Sequence, residues 1–90
     1  MDNQHQKISG YRDLSQEEID LMNRAKKLEA ECLAFHREVE ERLARQSSDQ
    51  NDRDRMVMAQ AFRWHAIART DIETGFMALV RSIAQPQPKG

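Results

Sequence analysis

The sequence predicts an all-α protein: a long antiparallel two-helix hairpin that assembles into a homo-oligomer. Three features carry this. A capping box opens a first helix, and a polar run near residues 47–53 separates it from a second. The second helix has more apolar surface than one partner helix can cover. Ninety residues make one small domain, which has difficulty burying enough surface to be stable alone. The expected organisation is a flexible arm over 1–10, a hairpin domain over 11–84 and an extended tail over 85–90.

The first ten residues are polar and end at Gly10, as a mobile arm would. Tyr11 stands alone before the helix start. Ser15 is the expected N-cap, Glu18 the N3 partner that completes the capping box, and Leu14 and Ile19 are spaced as a hydrophobic staple. From there Leu21, Ala25, Leu28, Cys32, Phe35 and Val39 recur at steps of four and three, a heptad seam, so the helix should run to about Arg45. The run from Ser47 to Asp52 reads as a turn. Asp52 or a neighbour would cap the second helix, which continues to about Ala84 until Pro86 stops it.

In the second helix Met58, Ala61, Phe62, His65, Ala68, Ile72, Phe76, Leu79 and Ile83 make one face. Trp64, Ile67, Met77, Val80 and Ala84 lie beyond it and need another surface to cover them. Trp64, just off the seam, is expected at an interface. Gly75 costs about 1 kcal/mol against Ala in a helix interior. Eighteen residues are about five turns, so Arg63, Thr70, Thr74 and Arg81 share a line, two guanidiniums with hydroxyls between them. On periodicity alone that line is a solvated stripe.

With 14 basic and 15 acidic side chains the net charge is −1, which argues against a broad DNA or RNA footprint. An anionic ligand would have to be held by a local cluster of cations. The single cysteine, Cys32, cannot form an intrachain bridge and suits a reducing compartment. No apolar run approaches the roughly 20 residues of a membrane span, and the N-terminal stretch lacks a signal-peptide core.

A zinc site can be drawn from Cys32, His36, His65 and Glu40, but Cys32 lies in the apolar seam and no paired motif supports it, so no metal or cofactor is expected. A Cys and His catalytic pair lacks an oxyanion hole and an orienting group, so the chain is not expected to be an enzyme. Tyr11 is a poor core residue, and Lys26 and Lys27 lie on a flank of the same helix. An aromatic face with converging cations can hold a phosphorylated base, since stacking is worth about 1 to 3 kcal/mol per base. A surface tyrosine with solvated lysines is the plainer alternative, and periodicity alone favours it.

Two blocks change that weighting. They are residues 11–23, YRDLSQEEIDLMN, and Trp64 with residues 70–81, TDIETGFMALVR, through Pro86. Together they resemble the helical-hairpin family of phage proteins that sequester nucleotide second messengers of bacterial immunity. That family has an anti-CBASS branch, which takes up cyclic oligonucleotides, and a Thoeris anti-defence branch, which takes up cyclic ADP-ribose isomers. The resemblance implies a hexamer of hairpins with ligands enclosed between protomers, and binding without turnover. It implies that Tyr11 stacks on a base of a cyclic dinucleotide such as cyclic GMP-AMP and that Lys26 meets its phosphates. A second pocket, for cyclic trinucleotides, uses an arginine matched here by Arg63 or Arg69 and a first-helix threonine whose position holds Leu28. Arg63, Thr70, Thr74 and Arg81 then become a pocket wall.

The short turn favours the anti-CBASS branch. The expected function is therefore sequestration of cyclic dinucleotides, with cyclic trinucleotides as a second ligand class, in the host bacterial cytoplasm. A Thoeris-type sponge, or a helical adaptor that binds no nucleotide, is the alternative.

Overall fold

A computed structural model describes residues 13–86 of the chain. Residues 1–12, Tyr11 among them, and residues 87–90 lie outside the described residues. Within them the fold is all-helical: α1 spans Gln16–Ser47, α2 Gln50–Met58 and α3 Ala61–Ala84. α1 and α3 form the antiparallel hairpin, and α2 closes one end by packing on both.

The start of α1 follows its local sequence. The Ser15 hydroxyl accepts the Glu18 backbone N–H at 3.1 Å, and the Glu18 carboxylate accepts the Ser15 N–H at 2.8 Å. Two of the backbone donors at the start of the helix are thereby satisfied. Leu14 and Ile19 are each half-buried, as a staple requires. At the other end of the chain α3 stops at Gln85, whose left-handed backbone (φ 49°) points its N–H back to the Arg81 carbonyl at 2.9 Å.

The second arm differs from expectation, because it is two helices and not one. The connection is only Ser48 and Asp49, and Asp49, not Asp52, caps α2 by accepting the Asn51 N–H at 3.0 Å. Ala59 and Gln60 then separate α2 from α3, with Gln60 left-handed at φ 58°. The sequence has no glycine or proline there to announce the break. Its structural return is Met56, which the folded-back α2 brings to 4 % exposure, one of three buried apolar side chains among the described residues.

The seam of α1 is also corrected. Ala25, Cys32 and Val39 face α3 as expected, but their heptad partners are Met22, Glu29, His36 and Leu43, all buried or half-buried. Leu21, Leu28 and Phe35, the more apolar set one residue earlier, are 41 %, 46 % and 65 % exposed. One residue is about 100° of helix rotation, so this set looks out along the flank of the hairpin. On the second arm the expected face holds at Ala61, His65, Ile72, Phe76 and Ile83, while Met58 at the end of α2 and Phe62, Ala68 and Leu79 on α3 are exposed and Ala84 is buried.

Losing the capping box should be felt by the whole hairpin. Ser15→Ala is expected to cost about 1 kcal/mol in urea unfolding at fixed protomer concentration. An unchanged midpoint would mean that the first turn of α1 does not take part in the cooperative unit.

Candidate functional site

The two long helices are tied together at His36 and His65. The His36 Nε2–H donates to the His65 carbonyl at 2.7 Å, and the His65 Nε2–H donates to the His36 carbonyl at 2.9 Å. A carbonyl oxygen can only accept, so both rings carry their proton on Nε2. The rings stack with centroids 3.6 Å apart and planes 15° from parallel. The sequence offered only two histidines on facing helices. Their reciprocal bonding had no signal beyond that.

Glu40 approaches the same pair, its carboxylate lying within 4.8 Å of ring nitrogens of both histidines. A metal ion binds in the plane of each imidazole it meets, about 2.0–2.1 Å from the nitrogen. Nearly parallel stacked rings cannot both aim an in-plane lone pair at one point. The arrangement as it stands is a hydrogen-bonded clasp and not a preformed zinc site.

Beside the clasp runs an open apolar groove of about 390 Å³, walled by Phe35, Val39, Trp64 and Ile72 with Cys32 along it. Trp64 is 57 % exposed, and the Arg63 guanidinium lies over its indole at 5.1 Å from the ring centre. A cation held on an aromatic face keeps its N–H edge free for an anion. Arg69 differs, because it pairs with Glu73 at 3.4 Å on the same helix. Between the two arginines that the resemblance left open, Arg63 is the one without a carboxylate partner among the described residues.

The remaining expected site residues fall on exposed surface. Arg63, Thr70, Thr74 and Arg81 are all exposed on the side of α3 away from α1, and the Thr70 hydroxyl turns back to the Ala66 carbonyl at 3.5 Å. Arg63 and Arg81 are about 27 Å apart along the helix at 1.5 Å per residue. One small ligand cannot touch both on one protomer. Lys26 is exposed on α1 without an ion-pair partner among the described residues. Counting ten residues back from His36 and ten on from His65 brings Lys26 level with Gly75. A side chain placed at Gly75 would meet nothing within 4 Å. The hairpin therefore leaves open space at the height of its free lysine.

The comparisons with known proteins agree with this architecture. The family model described as "Acb2/Tad1, hairpin domain" matches residues 5–84, which takes in both described arms and Tyr11. The chain is also 45 % identical over 106 residues to "Anti-CBASS protein 2" of Pseudomonas phage JBD67, covering 97 % of this chain and 98 % of that protein.

Trp64 is the single tryptophan, so its emission reports this surface alone. If its exposed face is an interface, emission should shift to shorter wavelength as protomer concentration rises through the assembly range. Emission that stays constant while light scattering records assembly would place Trp64 outside the interface.

Proposed function

The chain belongs to the Acb2/Tad1 hairpin family, and we propose that it is an anti-CBASS sponge, which binds cyclic dinucleotides such as cyclic GMP-AMP between the hairpins of a hexamer in the host bacterial cytoplasm. Cyclic trinucleotides are the second ligand class. The messenger is withheld from its effector, and no bond is made or broken. The name of the phage relative, an anti-CBASS protein aligned over nearly its whole length, supports the immune target.

The observation that carries this reading is the juxtaposition of surplus apolar surface with free cations. Leu28, Phe35, Trp64, Met77 and Leu79 are each between 46 % and 65 % exposed in the single hairpin. Burial is worth about 25 cal/mol per Å² of apolar surface, so copies of the chain gain by covering one another there. Lys26, level with open Gly75, and Arg63, presented on Trp64, are cations that such an assembly can enclose with a ligand. Tyr11 supplies the stacking face and Lys26 the phosphate contact. Thr70, Thr74 and Arg81 form the wall of a pocket, and Arg81 serves a different pocket from Arg63 because of their separation.

Sequestration is mass action. A binder that exceeds the effector in concentration and affinity keeps free messenger below the activating level, so pocket affinity matters and turnover does not. Turnover would need a base, a nucleophile and oxyanion donors around one ligand. His36 and His65 are stacked on each other and bonded to each other's backbone carbonyls, an arrangement that braces the hairpin.

Calorimetry with cyclic dinucleotides, cyclic trinucleotides and cyclic ADP-ribose isomers tests the proposal. Cyclic dinucleotides should bind, and Tyr11→Ala and Lys26→Ala should each weaken binding by at least roughly tenfold, as loss of a stacking face or of a charged phosphate contact predicts. The oligomer should stay intact in light scattering. Unchanged affinity in both variants would remove the site assignment. Binding of cyclic ADP-ribose isomers alone would move the chain to the other branch, and no binding at all would leave a structural adaptor.

A further inference from the structure

We infer that Ala59 and Gln60 form a two-state hinge. In the bent state α2 folds back and buries Met56, and in the straight state residues 54–84 form one helix that buries Met58 instead. The inference rests on helix geometry and not on the proposed ligand.

The bent state carries two local costs. Gln60 holds a left-handed backbone, φ 58° and ψ 41°, which residues with a Cβ disfavour. Its side chain makes no cap bond to the start of α3, and the first turn there has no acidic residue. The N–H groups of Ala61, Phe62 and Arg63 therefore have neither a carbonyl within α3 nor a cap from the Gln60 side chain. In a continuous helix the carbonyls of Val57, Met58 and Ala59 would accept those three N–H groups. No glycine or proline between 54 and 60 opposes such a helix.

The straight state fits α1 in register. Counting eleven residues on from His36 and eleven back from His65 brings Ser47, the last residue of α1, level with Asp54. Residues 48–53 then make the turn, an ordinary length between antiparallel helices. Leu43 lies seven residues after His36 and Met58 seven before His65, so both continue the face of the histidine pair by two turns. Leu43 is already half-buried, and Met58, 84 % exposed in the bent state, would meet it. Met56, nine residues before His65, would turn about 180° from the seam and lose its burial. Each state thus buries one methionine and exposes the other. The Asp49 cap on Asn51 and the Asp52–Arg55 ion pair favour the bent state, but both lie on exposed surface, where an ion pair counts for little. Straightening leaves His36 and His65 in place, and any contact that covers Met58 selects the bent state.

The test is a spin-label distance in the full chain carrying Cys32→Ser, Asp54→Cys and Ala78→Cys, diluted with unlabelled protein so that only pairs within one chain are read. Positions 54 and 78 are both exposed. A straight helix separates their backbones by about 36 Å at 1.5 Å per residue, and the bend shortens this. Gln60→Ala should raise the ratio of long to short distance at least roughly tenfold over Gln60→Gly, because glycine is at ease in a left-handed backbone and alanine in a helix interior. Met56→Gln should move the ratio toward the long distance and Met58→Gln toward the short one. A single distance, the same in all four variants, would overturn the inference, as would both methionine variants moving the ratio the same way.

Discussion

Two helices in contact hide one stripe each, and this chain carries more apolar positions than two stripes can hold. That constraint shapes everything else in the hairpin. Only Ala25, Met56 and Ala84 are buried apolar residues among those described, while nine large apolar side chains are exposed. For a chain of ninety residues such a core is too small to be comfortably stable, since small domains bury the least surface per residue. The surface left over is arranged and not scattered: Leu21, Leu28 and Phe35 run along one flank of α1, and Phe35 and Trp64 share a groove.

The clasp explains why the apolar flank is turned outward. A strictly hydrophobic seam would place Leu21, Leu28 and Phe35 against α3. Instead Ala25, Cys32 and Val39 keep their places while Met22, Glu29 and His36 replace Leu21, Leu28 and Phe35 beside them, so that His36 meets His65. Buried polar pairs of this kind are costly unless fully bonded, and here each ring donor has its carbonyl. The exchange gives up some apolar contact inside the hairpin. It leaves Leu21, Leu28 and Phe35 exposed on the flank of the hairpin.

What could be read from the residues divides along the same line. The capping box at Ser15 and Glu18 was legible because it is a local rule with its partners three residues apart. The stop at Gln85 and Pro86 was legible for the same reason. The exchange in the α1 seam was not, because hydrophobic periodicity ranks stripes by apolarity and has no weight for two histidines that bond only to each other. The break at Ala59 and Gln60 was not legible either, since no residue there disfavours helix and the burial of Met56 that accompanies it is tertiary. At the candidate site, the exposed line from Arg63 to Arg81 followed from helix geometry alone. That Arg63 rests on Trp64 while Arg69 is held by Glu73 depends on side-chain conformation, which spacing does not encode.

As proposed, the chain withholds a messenger and leaves it chemically unchanged. The most direct measurement is to incubate the assembled protein with cyclic GMP-AMP, denature the complex, and identify the released nucleotide by chromatography and mass. Full recovery of the intact cyclic dinucleotide is expected, with none free before denaturation when protein is in excess. Linearised or hydrolysed nucleotide would contradict it, as would intact nucleotide that had never been retained.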